Sequence, residues 1–434
     1  MPHSLIVRAL VLPAVFVVAA VASAEPAGGT PSGPPQAGGV PLSLERTVAD
    51  VLAHAPLRQM AMARLEASRS AARAAGVWAN PSVEVRAENW TFGNWQWSAA
   101  SDPMRVPVDF LTVVTQPIEL GRKRGSRREI ADAEVQSAAA ELQRLERTLA
   151  LQAVRLYLDV IRNRDGLSAL TENQRSLESV VAALAARVEE GVAPAADLAR
   201  FRAESARVTS QVLRTRIELE RSATTLATLM GAPLDDPAGM GVPVPQPLPD
   251  VAEADLVARI VEASADVQAA RARAEVAAAA SALERARRVP DLGVAGGYKR
   301  TAGVDAAVFG VQVSLPLFDR NTRALAQATG EALASRFEAT AAEERVTGEA
   351  RVIVRHAQAL AERAASIDRE LIEPADVVRT AARAAFHEGA SEILTLVDAE
   401  RLYLEAHREA LQLRLDALAA AFELRLMLGE EIQR

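Results

Sequence analysis

The chain has 434 residues, half of them hydrophobic and 24% charged, with a net charge of −7 in which both signs are interspersed. That is enough chain for a sizeable folded body and too apolar for global disorder, and it carries no basic footprint for nucleic acid. Cysteine is absent, which excludes disulfides, thiolate metal sites, a cysteine nucleophile and an N-terminal lipoprotein cysteine.

At the N-terminus His3 and Arg8 precede an apolar run from Ala9 to Ala22, and Ala22-Ser23-Ala24 offers small residues for cleavage. Residues 1–24 therefore read as an export signal that is removed, with an uncleaved anchor as the alternative. Residues 25–41 are rich in Pro and Gly and form a flexible leader. Beyond residue 24 no window approaches the roughly 20 apolar residues of a membrane helix. A mature chain that enters a membrane must do so as a β-barrel.

Ser43–Ala79 reads as one helix in two segments, with Leu44, Val48, Val51 and Leu52 at helical spacing, a break near Pro56 and a stop at Asn80-Pro81. Ser82–Ala87 then alternates, Val83, Val85 and Ala87 against Glu84 and Arg86, as a strand with one apolar face. Asn89–Ser98 holds three of the four tryptophans; it is either a packed hairpin tip or an aromatic girdle or outward loop. Strand character returns over Val106–Thr115. At Gln116–Arg124, QPIELGRKR, the strand ends at Pro117, Gly121 lets the chain turn, and a helical pattern begins.

From Ser126 to Glu190 there is no proline and one glycine, Gly166. Such a helix reaches about 100 Å. Val135, Ala138, Leu142, Leu145, Leu149, Gln152 and Leu156 form one stripe, and Leu151, Val154, Leu158 and Ile161 a second. Two stripes demand neighbours on two sides, as in a curved wall or bundle of helices. Glu190–Asp197 reverses the chain, with Gly191 suited to a C-terminal cap and Pro194 to the start of the next helix. That helix runs to Met230-Gly231, and a loop with six prolines follows between Pro233 and Asp250.

The order then repeats. Leu256–Arg288 is the split helix, Val289-Pro290 its stop, Leu292–Arg300 and Ala307–Leu315 the strand pair, and Leu315–Arg323, LPLFDRNTR, the junction. Helix resumes from Arg323, Glu388-Gly389 is the reversal, and Leu411, Leu415, Leu418, Phe422 and Leu426 carry the last stripe to Gly429. Pro81 and Pro290 are 209 apart, Pro117 and Pro316 199, Gly191 and Gly389 198, and Gly231 and Gly429 198. The chain is thus a duplicated unit: residues 42–231 and 251–429, separated by 232–250 and followed by a tail, 430–434. Each half supplies two strands of about ten residues, enough to cross an outer membrane when tilted. Four strands do not close a barrel, so copies associate, or the strands pack on helices instead.

This order, with QPIELGRKRG at 116–125 and LPLFDRN at 315–321, resembles the TolC family of outer-membrane efflux channels. The first motif is similar to the metal-exporting branch that works with resistance-nodulation-division pumps. The resemblance implies a mainly α fold with a small β part: a homotrimeric, 12-stranded outer-membrane β-barrel, four strands per subunit, continued by a periplasmic α-helical barrel. Pro117, Gly121, Arg122, Pro316 and Asn321 then mark the barrel-to-tunnel junction, and the barrel has outer-membrane lipid as a partner. The 232–250 loop belongs to a belt around the tunnel. Glu190, Gly191, Val192 and Pro194, with Glu388, Gly389 and Ser391, form tips that meet a periplasmic adaptor and, through it, an inner-membrane pump. Asp197 and Asp398 resemble gate or constriction positions, although Asp197 also suits the first turn of a helix for its dipole alone. Thr395 and Ser391 stand where some members carry a further acid and a basic partner.

The run Arg122-Lys123-Arg124 reads as a solvated collar at the membrane boundary rather than an anion site. His54, His356, His387 and His407 share no i, i+3 or i+4 spacing, so no metal site or cofactor is expected. No nucleophile elbow, phosphate loop, metal-ligand helix or His-centred triad spacing is present, which speaks against an enzyme. The implied function is a passive exit duct for heavy-metal cations. The alternatives are a duct for organic compounds and a periplasmic coiled-coil adaptor or scaffold.

Overall fold

The computed structural model describes residues 42–89, 108–234, 237–245, 247–388, 390–391 and 393–430. The export signal, the leader, the tryptophan-rich stretch beyond Asn89 and Gly389 lie outside the described residues. Two runs of the same element order make up the fold. The first is α1 (Leu44–His54), α2 (Pro56–Ala74), β1 (Ser82–Glu88), β2 (Asp109–Ile118), α3 (Lys123–Glu189) and α4 (Ala195–Met230). The second is α5 (Glu253–Ala263), α6 (Ala265–Ala286), β3 (Leu292–Thr301), β4 (Val304–Val313), α7 (Thr322–Ile367), α8 (Glu373–His387) and α9 (Ile393–Met427).

Local chemistry explains most boundaries. Ser43 caps α1 by accepting from Arg46 N at 3.2 Å, and Pro56 opens α2 at a first-turn position. The second half breaks at the corresponding place without a proline: Ser264 ends α5 and caps α6 through Val267 N. α3 runs 67 residues, about 100 Å. Several expected ends move. α2 stops at Ala74, six residues before Asn80. β2 runs through Pro117 to Ile118, so the proline does not end the strand; it sits opposite Gly293 in the ladder. β4 ends at Val313, not Leu315.

The second half also holds an element with no counterpart in the first. α7 gives way to a π-helical turn at Asp368–Ile372, which ends two residues before Pro374. Buried positions show why. Leu149 and Val346, Ala153 and Ala350, Tyr157 and Val354, Val160 and Ala357, and Leu170 and Ile367 are all buried pairs 197 positions apart. Below the π-turn the spacing becomes 198, at Leu177 and Ala375 and at Leu184 and Ala382. One residue has been added to α7 relative to α3. The π-turn absorbs it and keeps the apolar face in phase.

The four strands form one antiparallel sheet in the order β1-β2-β3-β4. α3 is the central helix. Its Ala153, Val154, Tyr157, Leu158, Val160 and Ile161 pack with Leu44, Val48 and Val51 of α1, Leu226 and Met230 of α4, and Leu415, Leu418 and Phe422 of α9. The second expected stripe is therefore the deeper one; in the first, Leu149 is buried but Gln152 is exposed. Tyr157 is fully buried, and its hydroxyl donates towards Leu42 O at 2.8 Å and Gly241 O at 2.7 Å. Burial, with Glu45 nearby, raises the phenol to about 12, so it stays a donor. A matching cluster joins Leu256, Val257 and Ile260 of α5 to Val346, Ala350 and Val354 of α7 and Leu424 of α9.

Candidate functional site

The sheet has two chemically different faces. Register places Val83 and Val85 beside Val114 and Thr112, and these beside Gly296 and Tyr298, which pair with Phe309 and Ala307. Side chains alternate across a strand, so Val83, Val85, Phe110, Val114, Ile118, Leu292, Val294, Phe309, Val311 and Val313 share one face. Glu84, Arg86, Glu88, Thr115, Lys299, Gly310 and Gln312 share the other with Leu111, Val113 and Val308, and there Arg86 pairs with Glu84 and Glu88. Val83, Val85, Phe309 and Val311 are 62–86% exposed. Among the described residues β1 and β4 each pair on one side only.

Sheet and helices meet at a tightly built junction. Gly121 (φ +71°) and Arg122 (φ +64°) are both left-handed, and Arg122 is the N-cap of α3; Asn321 (φ +55°), 199 residues on, is the left-handed N-cap of α7. A Cβ on Gly121 would meet Val289 Cβ at 2.7 Å, so glycine is required by space as well as by φ. Asn321 Nδ2 donates to Glu284 O at 2.9 Å and Glu284 Oε2 at 2.7 Å. The basic run is not a uniform collar. Arg122 alone of the three is exposed, and it lies 3.6 Å from Glu129. Lys123 is 8% exposed and pairs with Asp291 at 2.7 Å, and the Arg124 guanidinium lies 4.7 Å from the Trp78 ring. Both of these partners come from distant parts of the chain. Arg127 donates to both Glu119 oxygens, at 2.5 and 2.7 Å, and this pairing holds the Glu119 carboxyl below its usual range.

At the other end, α3 closes in a Schellman motif: Val192 N donates to Arg187 O (2.9 Å) and Gly191 N to Val188 O (3.1 Å), with Gly191 at φ +74°. Ala390 N makes the corresponding bond to Ala385 O at 2.8 Å after Glu388. Pro194 is the N-cap of α4 and Asp197 lies in its first turn. Val192, Pro194, Asp197, Arg200 and Phe201 of the first reversal and Phe386, Ser391 and Ile393 of the second line one pocket of about 370 Å³. Ser391 Oγ is buried there without a hydrogen-bond partner. Asp398 does not line this pocket; it is exposed on α9. At the 198 spacing Asp197 corresponds to Thr395 and Asp398 to Arg200, so the two acids are not equivalent positions.

Ion pairs that linear spacing conceals tie the reversals together. Glu204 receives Arg207 at 2.6 Å and Arg401 of α9 at 3.0 Å; the Arg207 hydrogen bond, with Arg401, lowers its carboxyl below the usual range. Arg383 reaches Glu400 at 2.5 Å. The Glu204–Arg207 spacing is legible on a helix face, but Arg401 is 197 residues from Glu204. Arg379 lies 3.4 Å from the Tyr403 ring centroid, and that ring is 4.1 Å from His407. Among the described residues no group of three or more His, Asp or Glu is placed to hold a metal ion, and no helix is long and apolar enough to cross a membrane.

The family model described as outer membrane efflux protein matches residues 47–232 and 256–430. The cobalt-zinc-cadmium resistance protein CzcC of Cupriavidus metallidurans is 27% identical over 296 residues, 67% of this chain and 70% of that one. The nickel and cobalt resistance protein CnrC of the same organism is 26% identical over 280 residues, and the chain spans 62% of its length. In fold, the chain is similar to the crystal structure of the outer membrane protein VceC from Vibrio cholerae, with a TM-score of 0.72 at 22% identity over 90% of this chain and 97% of that one.

Proposed function

Since the chain belongs to the outer membrane efflux protein family, we propose that it is the outer-membrane exit duct of a tripartite efflux pump whose substrate is a heavy-metal cation. The observation that carries the duct is the sheet. Its one apolar face and two single-paired edges suit a barrel wall that is closed by further copies. With four antiparallel strands, β4 of one copy beside β1 of the next preserves the alternation, and three copies give twelve strands. The helices below the junction then form the wall of a tunnel through the periplasm, with 232–250 in a belt around it. The metal cargo is supported by the likeness to the cobalt-zinc-cadmium and nickel-cobalt resistance proteins.

Transport through such a duct needs no chemistry from the chain. The cation moves by diffusion while an inner-membrane resistance-nodulation-division pump supplies the work. The pocket between the two reversals, with Val192, Pro194 and Ser391 on its rim, is where a periplasmic adaptor would dock. Asp197 in that pocket and exposed Asp398 are the acids that would attract cations at the periplasmic mouth. The test is fractionation followed by reconstitution. The expected result is an outer-membrane trimer that persists on a gel until heated, conducts in planar bilayers, and sensitises cells to divalent metals when deleted. A soluble monomer overturns the duct, and unchanged metal tolerance overturns the cargo.

A further inference from the structure

Within one copy α2 packs on α3, α3 on α6, and α6 on α7. Among the described residues the outer flanks of α2 and α7 carry no further helix. The buried positions establish that α7 repeats α3 at a spacing of 197, and Thr47, Val48 and Val51 repeat as Leu256, Val257 and Ile260 at 209, the spacing that also relates α2 to α6. The internal α3–α6 contact is therefore a template for a contact between α7 and α2 of another copy.

Residue identities fit that template. On α3, Glu141 accepts from Arg273 of α6 at 2.6 Å. Glu141 repeats as Glu338 and Arg273 repeats as Arg64, so both partners keep their type. Glu338 and Arg64 are exposed and neither has an ion pair among the described residues. Around Glu141, Ala133 and Ala140 are buried; their counterparts on α7, Gly330 and Phe337, are exposed, Phe337 by 65%. On α6, one turn before Arg273, Ala269 is fully buried, whereas its counterpart Met60 is 42% exposed. Among the described residues, then, Phe337 beside the acid on α7 and Met60 beside the base on α2 are both left exposed.

The sheet obeys the same rule. β2 pairs with β3 as Val114 with Gly296, Gln116 with Val294 and Ile118 with Leu292. Moved by 199 and 209, these become Val313 with Ala87, Leu315 with Val85 and Leu317 with Val83. Val313, Ala87, Val85 and Val83 lie on the apolar face, and Leu315 and Leu317, which turn away beyond the end of β4 with Leu317 N donating to Leu315 O at 2.9 Å, are 66% and 65% exposed.

The geometry points to a specific seam between copies: α7 of one packs on α2 of the next, closed by an ion pair between Glu338 and the next copy's Arg64, with Phe337 on Met60 and β4 extended along β1 to Leu317. Such a seam presupposes the exit duct proposed above. The absence of native cysteine gives a clean test. Glu338→Cys with Arg64→Cys, treated with a short bis-maleimide in membranes, is expected to yield covalent oligomers on a denaturing gel, while either single variant yields none. Glu141→Cys with Arg273→Cys should link within one chain and stay monomeric on the same gel. Native mass showing trimers with no interchain 64–338 link overturns the seam and leaves the duct standing; native mass showing only monomers removes the duct and the seam with it. Because cysteine replacement removes the pair itself, charge exchange is the second arm. Glu338→Arg is expected to cost the gel-stable trimer and Arg64→Glu in the same chain to restore it; no recovery overturns the ion pair.

Discussion

Lys123 Nζ lies 2.7 Å from Asp291 Oδ1, and the same carboxylate oxygen accepts from Leu120 N at 3.1 Å. Lys123 and Asp291 are 168 positions apart and belong to different halves of the chain. Their contact ties the first turn of α3 to the entry of β3, at the level where sheet passes into helices. With Lys123 only 8% exposed, its ammonium depends on this partner. Asp291→Ala is expected to destabilise the fold by about 1.5–3 kcal/mol, seen as a lowered unfolding midpoint in detergent. Asp291→Glu should recover part of that loss.

The two reversals are cored differently. Leu177, Leu184, Phe201, Val208 and Val212 in the α3–α4 pair correspond to Ala375, Ala382, Ala399, Ala406 and Ala410 in the α8–α9 pair, all buried. Each deleted methylene forgoes about 0.8 kcal/mol of burial. Amide hydrogens of α8 and the first half of α9 are therefore expected to exchange faster than those of the α3–α4 tip, as hydrogen-exchange mass spectrometry would show. Equal protection would mean that ion pairs such as Arg383–Glu400 offset the thinner core.

An added residue explains the π-turn, so removing one should be tolerated there and nowhere nearby. Deleting exposed Glu370 is expected to convert Asp368–Ile372 to α-helix and to leave oligomer yield near that of the parent. Deleting Glu349, within the regular part of α7, rotates every later apolar position by about 100° and should abolish folding. Circular dichroism and protease resistance distinguish the two.

His407 lies between Tyr403 and the charges Arg379, Asp376, Arg414 and Asp368, and its Nε2 is buried without a partner. Burial, then Arg379, lowers its affinity for protons. The unfolded chain thus binds the proton more readily, and stability rises with pH through the window between the depressed value and the ordinary one of about 6.5. Acidification below that ordinary value should lower the unfolding midpoint. His407→Phe, which keeps the ring against Tyr403, should flatten the dependence below the ordinary histidine value of about 6.5.

The two faces of β4 make opposite demands. Phe309→Lys places a charge on the apolar face and is expected to cost about 2–4 kcal/mol if that face meets the lipid midplane, with loss of the gel-stable trimer from the outer membrane. Gln312→Lys, on the other face, should leave assembly intact and alter ion preference in bilayers.

Features set by neighbouring residues were legible in the sequence: the proline-free run that becomes α3, the alternation in β1, the reversal at Gly191, and the duplication with its repeated junctions. Backbone dihedrals, caps and apolar period are local, and local signals survive in a linear reading. The acids Asp197 and Asp398 were legible only as acids; burial shows that one enters the pocket between the reversals and the other does not. The π-turn went unread because it depends on phase within α7, and the Gly191–Gly389 and Gly231–Gly429 spacings both lie beyond it.

Residue order alone carries the repeated unit, its helices and strands, and the apolar face of each strand. Packing chose which charges pair, as in Lys123 with Asp291 and Glu204 with Arg401. It also chose which stripe of α3 lies deepest and which faces of α2 and α7 stay open. Those outcomes depend on contacts between residues more than a hundred positions apart. Their energies come from exclusion of water and from charge proximity, neither of which exists until the chain has packed.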